Sequence, residues 1–140
     1  MTHAVKLDEA GMRKLLEDHV AAERDGDVDA AMAFQAPDPE LEIAGLRIQG
    51  ADELRRFKSM WIENWIPRWK AQGWTFGAYD EDRQMAISES WVDNEMDDGS
   101  IQRLRSVVVF EFENGLMKRE RLYCLDPIMM DVVLRTAEVR

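Results

Sequence analysis

Four extended stretches follow one another in the second half of the chain: "WTFGAY", "RQMAISESWVDNEM", "SIQRLRSVVVFEFE" and "LMKRERLYCLD". The last three are joined by "DDG" and "ENG", and Asp-Gly and Asn-Gly pairs between apolar runs specify tight hairpins. This half of the chain therefore reads as an antiparallel meander. The residues before it supply the helices of an α+β domain.

Between Asp8 and about Asp25, Met12, Leu15, Leu16, Val20 and Ala22 keep helical spacing, and Gly26 ends the run. Asp27 can cap a second, shorter helix carrying Val28, Ala31, Met32 and Phe34, which must stop before "APDPE" because Pro37 and Pro39 forbid its continuation. Two short strands, "ELEIAG" and "LRIQG", turn at Gly45. Gly50 and Asp52 open a third helix whose apolar face is Leu54, Phe57, Trp61 and Trp65. Residues four apart on a helix drift by about 40° per step, so these aromatics spread into a wall. Pro67 disfavours helical geometry at Ile66 and leaves Trp69 at the rim. Asp126 before Pro127 reads as the cap and first turn of a closing helix, "IMMDVVLRTAEV".

The chain has 140 residues, enough for one domain that buries roughly two thirds of its unfolded surface. Its net charge of −10 repels phosphate backbones and anionic membranes, so neither nucleic acid nor a membrane is an expected partner. One cysteine forms no internal disulfide, and with two histidines it falls short of the ligand sets that zinc uses. Nothing in the sequence has the length of a signal peptide's apolar core or of a transmembrane helix. The expectation is a cytoplasmic, metal-free protein without a cofactor.

The order of helices, two short strands, an inserted helix and a long meander resembles the cone-shaped α+β fold of the nuclear transport factor two-like superfamily. "HVAAERDGDVDAAMAFQAPDPELEI" is similar to the opening of SnoaL-like and ketosteroid isomerase-like proteins, "IQGADELRRF" to their Gly-led third helix, and "FEFENGLMKRERLYCLDP" to their last hairpin. The resemblance implies one SnoaL-like domain over residues 1–140: a curved antiparallel sheet wrapped around N-terminal helices, as in cystatin-like folds. It also implies a cofactor-independent isomerase, cyclase, lyase or epoxide hydrolase, or a relative that only binds a ligand or a partner. Ketosteroid isomerases place a tyrosine, a carboxylate base and a protonated acid at positions that match His19, Ile43 and Val108 here. The familiar steroid-isomerase set is absent.

Strand alternation then asks which residues face into the cone. In the strand from Gln84, the larger apolar groups favour Met85, Ile87, Glu89, Trp91 and Asp93 as the inner set. In the next strand Leu104, Ser106, Val108, Phe110 and Phe112 face inward. The last strand has two registers. A two-residue turn at Asn114-Gly115 turns Arg119, Arg121 and Tyr123 inward, whereas a three-residue turn with Gly115 as a bulge turns Glu120, Leu122 and Cys124 inward. The family resemblance favours the bulge, and that register puts Glu89, Val108 and Glu120 in one row. His19 follows Met12 and Leu15 on the apolar face of the first helix and looks into the same space.

An imidazole beside carboxylates in a dry pocket is acid-base machinery. His19, Glu89 and Glu120 are accordingly the expected catalytic residues. Phe57, Trp61, Trp65, Trp91, Ser106, Val108, Phe110, Leu122 and Cys124 are the expected wall for a bulky apolar small molecule such as a polyketide, terpenoid or steroid-like compound. The alternative is a non-catalytic ligand-binding or dimerisation module. Val92, Val107 and Val109, flanked by Arg103, Arg105 and Arg121, are expected to form a homodimer interface on the convex sheet face.

Overall fold

The computed structural model describes residues 4–138, with the side chains at 132, 133 and 136–138 left aside. Asp8 caps the first helix, α1 (Glu9–Arg24), by accepting a hydrogen bond from the Gly11 N–H. Asp27 does the same for α2 (Val28–Met32) through the Ala30 N–H. The chain then enters a six-stranded sheet built from β1 (Gln35–Ile43), β2 (Leu46–Gln49), β3 (Trp69–Asp80), β4 (Met85–Glu95), β5 (Ile101–Glu113) and β6 (Leu116–Cys124). Helix α3 (Ala51–Asn64) and a short 3-10 turn (Ile66–Arg68) separate β2 from β3, and α4 (Pro127–Glu138) closes the chain. The strand order is β2-β1-β6-β5-β4-β3. All neighbours are antiparallel except β1 and β6, which run parallel.

Two strands start earlier than their sequence suggests. β1 already includes Pro37 and Pro39, which is possible because β1 and β6 slip register between Gln35 and Glu40 and ask no ladder hydrogen bond of the prolines. β3 begins at Trp69, immediately after the Pro67 turn, and not at Trp74. Asp126 stands before Pro127 at the start of α4, where its carbonyl accepts the Met130 N–H at 3.2 Å, while its Oδ2 accepts a hydrogen bond of 2.7 Å from the Arg105 N–H and ties the end of β6 to β5.

The last hairpin combines both turn readings. Asn114 and Gly115 have positive φ (53° and 78°) and form a two-residue turn between paired Glu113 and Leu116. A register shift between Glu111 and Phe112 then leaves Lys118 as an extra residue in β6, because Phe112 pairs with Met117 and Glu111 with Arg119. The bulge lies in the strand, not in the turn. It reverses the alternation and directs Glu120 and Leu122 to the concave side.

β4 has the opposite facing from that expected. Ala86, Ser88, Val92 and Asn94 are its buried residues, whereas Ile87 is exposed and Glu89 half-buried. Glu89 pairs with Val107, which pairs with Tyr123, and all three lie on the convex face. Size misled the reading: the large residues of β4 belong to the outer surface, and small ones face the cone. Val92 is correspondingly inside and no part of a convex interface.

Two apolar clusters hold the helices on the concave face. One packs α3 through Leu54, Phe57, Trp61, Ile62 and Trp65 against Leu41, Ile43, Ile48, Val92 and Leu104. The other packs Met12, Leu15 and Leu16 of α1 against Ala86, Val108, Phe110, Phe112 and Met117. On the opposite face the Arg103 guanidinium stands 3.8 Å from the Trp91 ring centroid and is fixed by two hydrogen bonds, 2.8 and 3.0 Å, to Asp93.

Trp91 lies against Gly73 of β3, where an added Cβ would come within 2.7 Å of Trp91 Cζ2. Gly73→Ala is therefore expected to cost about 1–3 kcal/mol of unfolding free energy. Urea denaturation measures it, and an unchanged midpoint would mean that the indole shifts freely despite Arg103.

Candidate active site

A cavity of about 320 Å³ opens at the seam between the two clusters. Leu16, Val108 and Phe110 border it from one cluster, and Leu41, Ile43, Trp61 and Val92 from the other. Met129 of α4 and Trp69, Gln72 and Trp74 of β3 complete much of the wall. Ser88, Ser90 and Ser106 supply hydroxyls on β4 and β5, with Ser90 Oγ and Ser106 Oγ 3.0 Å apart.

Four ionisable side chains meet at this cavity: His19 and Glu23 from α1, Lys58 from α3 and Glu120 from β6. His19, Glu23 and Lys58 are buried. Lys58 Nζ donates to Glu23 Oε1 at 3.3 Å and stands 3.8 Å from Glu120 Oε2. His19 Nε2 lies 3.0 Å from the same Glu23 oxygen, one helical turn away, but out of line for an N–H···O hydrogen bond, so that nitrogen is close to the carboxylate and still unsatisfied. The His19 ring also meets Phe34 edge-on, with centroids 6.1 Å apart.

Burial alone would push the Glu23 carboxyl up. Lys58 and then His19 outweigh that and pull it down to about 2. Burial likewise works against the Lys58 ammonium, but Glu23 and Glu120 raise its pKa above the ordinary lysine value. Glu23 and Lys58 thus stay ionised through the neutral range and form a fixed, internally neutral pair. Glu120 has no hydrogen-bond donor to its side chain among the described residues, and that side chain keeps 14% of its exposure.

The structure brings His19 and Glu120 together and leaves Glu89 on the other side of the sheet. Of the expected wall, Trp61, Ser106, Val108, Phe110 and Leu122 border the cavity, and Trp91 reaches its edge only from the outer face, beside Gly73. Phe57 is buried in the α3 cluster, stacked on Trp61 at 6.0 Å, and Trp65 faces a separate cleft with Arg68 and Asn94. Cys124 packs half-buried beside the α3 cluster, and burial pushes its thiol up to about 11, which leaves it an unreactive apolar group. Glu23 and Lys58 were missing from the sequence reading although spacing could have found them. Glu23 follows Leu16 by seven and His19 by four, and Lys58 lies between Leu54 and Ile62 at intervals of four.

The SnoaL-like domain family matches residues 16–120, and the chain belongs to that family. Its fold is also that of solved structures of low sequence identity. An NTF-2 like protein of unknown function from Burkholderia xenovorans LB400 is 23% identical, with TM-score 0.66 over 85% of this chain and 86% of that one. A protein from Kribbella flavida DSM 17836, provisionally assigned as a ketosteroid isomerase, is 19% identical, with TM-score 0.65 over 84% and 79%. A provisionally assigned polyketide cyclase from Xanthomonas campestris pv. campestris is 16% identical, with TM-score 0.66 over 91% and 97%. No curated protein matches in sequence.

The charged pair makes stability depend on acid. A carboxyl held at about 2 in the folded chain and near 4.3 when unfolded contributes stability that is fully present above about 4.3 and lost as pH falls towards 2. The pH dependence of unfolding in that window is expected to be shallower in Glu23→Gln than in the parent. Lys58→Met, which strands a buried carboxylate, is expected to cost about 3–5 kcal/mol, and adding Glu23→Gln to recover part of it. Equal costs for the single and double variants would deny the pairing.

Proposed function

We propose that the chain is a cofactor-independent acid-base enzyme of the isomerase or cyclase type, acting on a bulky, hydrophobic small molecule. The observation that carries this reading is the meeting of His19, Lys58 and Glu120 at a cavity walled by tryptophan and aliphatic side chains. Membership of the SnoaL-like family and the fold shared with provisionally assigned isomerases and cyclases support the class of reaction.

The roles follow from charge and access. Glu23, locked to Lys58, is a poor proton carrier and serves to hold the ammonium and the imidazole in place. Glu120, the more accessible carboxylate, takes a proton from the substrate and returns it at another atom. His19 is its partner in that exchange. Lys58 is a fixed cation for negative charge that develops on a substrate oxygen, in a site where low dielectric strengthens the attraction. The apolar wall excludes water and orients the substrate.

Glu120→Gln and His19→Ala are expected to lower turnover at least about a hundredfold, the scale of losing a general acid or base, while the near-ultraviolet circular dichroism stays as in the parent. Glu89→Gln, on the convex face, is expected to leave turnover alone. Full turnover in Glu120→Gln would defeat the assignment, and ligand retention without turnover would favour the binding-module reading.

The same reading includes a homodimer. Val107 and Val109 on the convex face, with Tyr123 half exposed beside them, offer an apolar centre, and Arg105 and Arg121 a polar rim. Sedimentation at micromolar concentration is expected to give a dimer that Val109→Arg dissociates. A monomeric parent would sink it.

A further inference from the structure

The carboxylates around the cavity outnumber its permanent cations. Glu23 and Glu120 bring two carboxylates, and Lys58 is the one lysine or arginine that borders the cavity among the described residues. Its ammonium donates to Glu23 at 3.3 Å and stays 3.8 Å from Glu120, outside hydrogen-bond distance. Glu120 is thus a largely enclosed acid with half a partner. His19, 97% buried, repeats the pattern, because Nε2 has no hydrogen bond although Glu23 lies beside it. A neutral apolar ligand filling the cavity would strip the remaining water from Glu120 and give nothing in return, which is costly for a carboxylate.

Trp61, Trp69 and Trp74 border the same space, and their π-faces attract cations most strongly where water is excluded. The fold already uses that attraction where Arg103 covers Trp91 and Arg13 covers Tyr79. A net charge of −10 also favours the approach of a cation.

We propose that the ligand of this cavity is an apolar molecule carrying a positively charged nitrogen, with Glu120 as its counter-ion and the tryptophans as the remaining wall. The inference rests on the cavity being the ligand site proposed above and narrows the class of molecule that enters it. For a protonated amine, Glu120 holds the nitrogen and can exchange a proton with it. Glu120 borders the cavity and takes no hydrogen bond from Lys58, so its carboxylate can accept one from an amine that enters there.

The test separates charge from shape. Benzyltrimethylammonium and neopentylbenzene have the same outline and differ in one charge, and their binding to the full chain can be measured by calorimetry and tryptophan emission. The cation is expected to bind at least about tenfold more tightly, and Glu120→Gln to erase the preference. Equal or tighter binding of the neutral compound overturns the inference, as does a preference that survives Glu120→Gln, or no binding of either. If the variant does not fold, competition between the two compounds on the parent protein decides. Equal binding together with loss of turnover in Glu120→Gln removes the charged ligand and leaves the acid-base reading. A cation preference in a protein without turnover does the reverse.

Discussion

The Lys58 ammonium is the point on which the architecture turns. It is buried where α1, α3 and β6 approach one another, and it contacts a carboxylate from each of the other two elements. Burying an ion is expensive, and the attraction of two partners offsets the cost only if all three elements keep their positions. The same contact therefore fixes the helices over the sheet and defines the polar end of the cavity.

The arrangement sets a locked ion pair beside two polar side chains with fewer partners. Glu23 and Lys58 hold each other ionised, so their environment is constant over the neutral range. Glu120 and His19 stand at the edge of that pair, each with unspent hydrogen-bonding capacity. Ile43 and Val108, which the sequence resemblance sets against the base and acid positions of ketosteroid isomerases, both border the cavity as apolar wall. The ionisable groups of this cavity enter instead from α1, α3 and β6.

The fold was legible because local signals agreed with one another. Asp8 and Asp27 cap their helices, Asn114-Gly115 forms its turn, and α3 shows the face its spacing describes. The site was half legible. His19 followed from helical spacing and Glu120 from the bulged register that the family resemblance favoured, although the extra residue is Lys118 and not Gly115. Glu89 failed because alternation gives two faces without saying which is inner, and residue size chose wrongly once Trp91 found Gly73 and Arg103 outside. Lys58 shares the apolar face of α3 with Leu54 and Ile62, but its burial depends on an ion pair that spacing does not reveal. Its partner lies 35 residues away in sequence, and no local pattern announces such a pair.

The parallel pairing of β1 with β6 sets the order of assembly. Leu41 pairs with Glu120, and the Lys118 ammonium reaches the Asp38 carbonyl across 80 residues of chain. During synthesis the N-terminal helices and the β1-β2 hairpin leave the ribosome long before their neighbour exists, and long-range pairing of this kind is slow to form. β1 waits with an open edge, which its two prolines, Pro37 and Pro39, and flanking acids help to keep from pairing with another chain. Because Glu120 arrives on the strand that ends this wait, the nascent chain remains without its cavity until β6 has emerged.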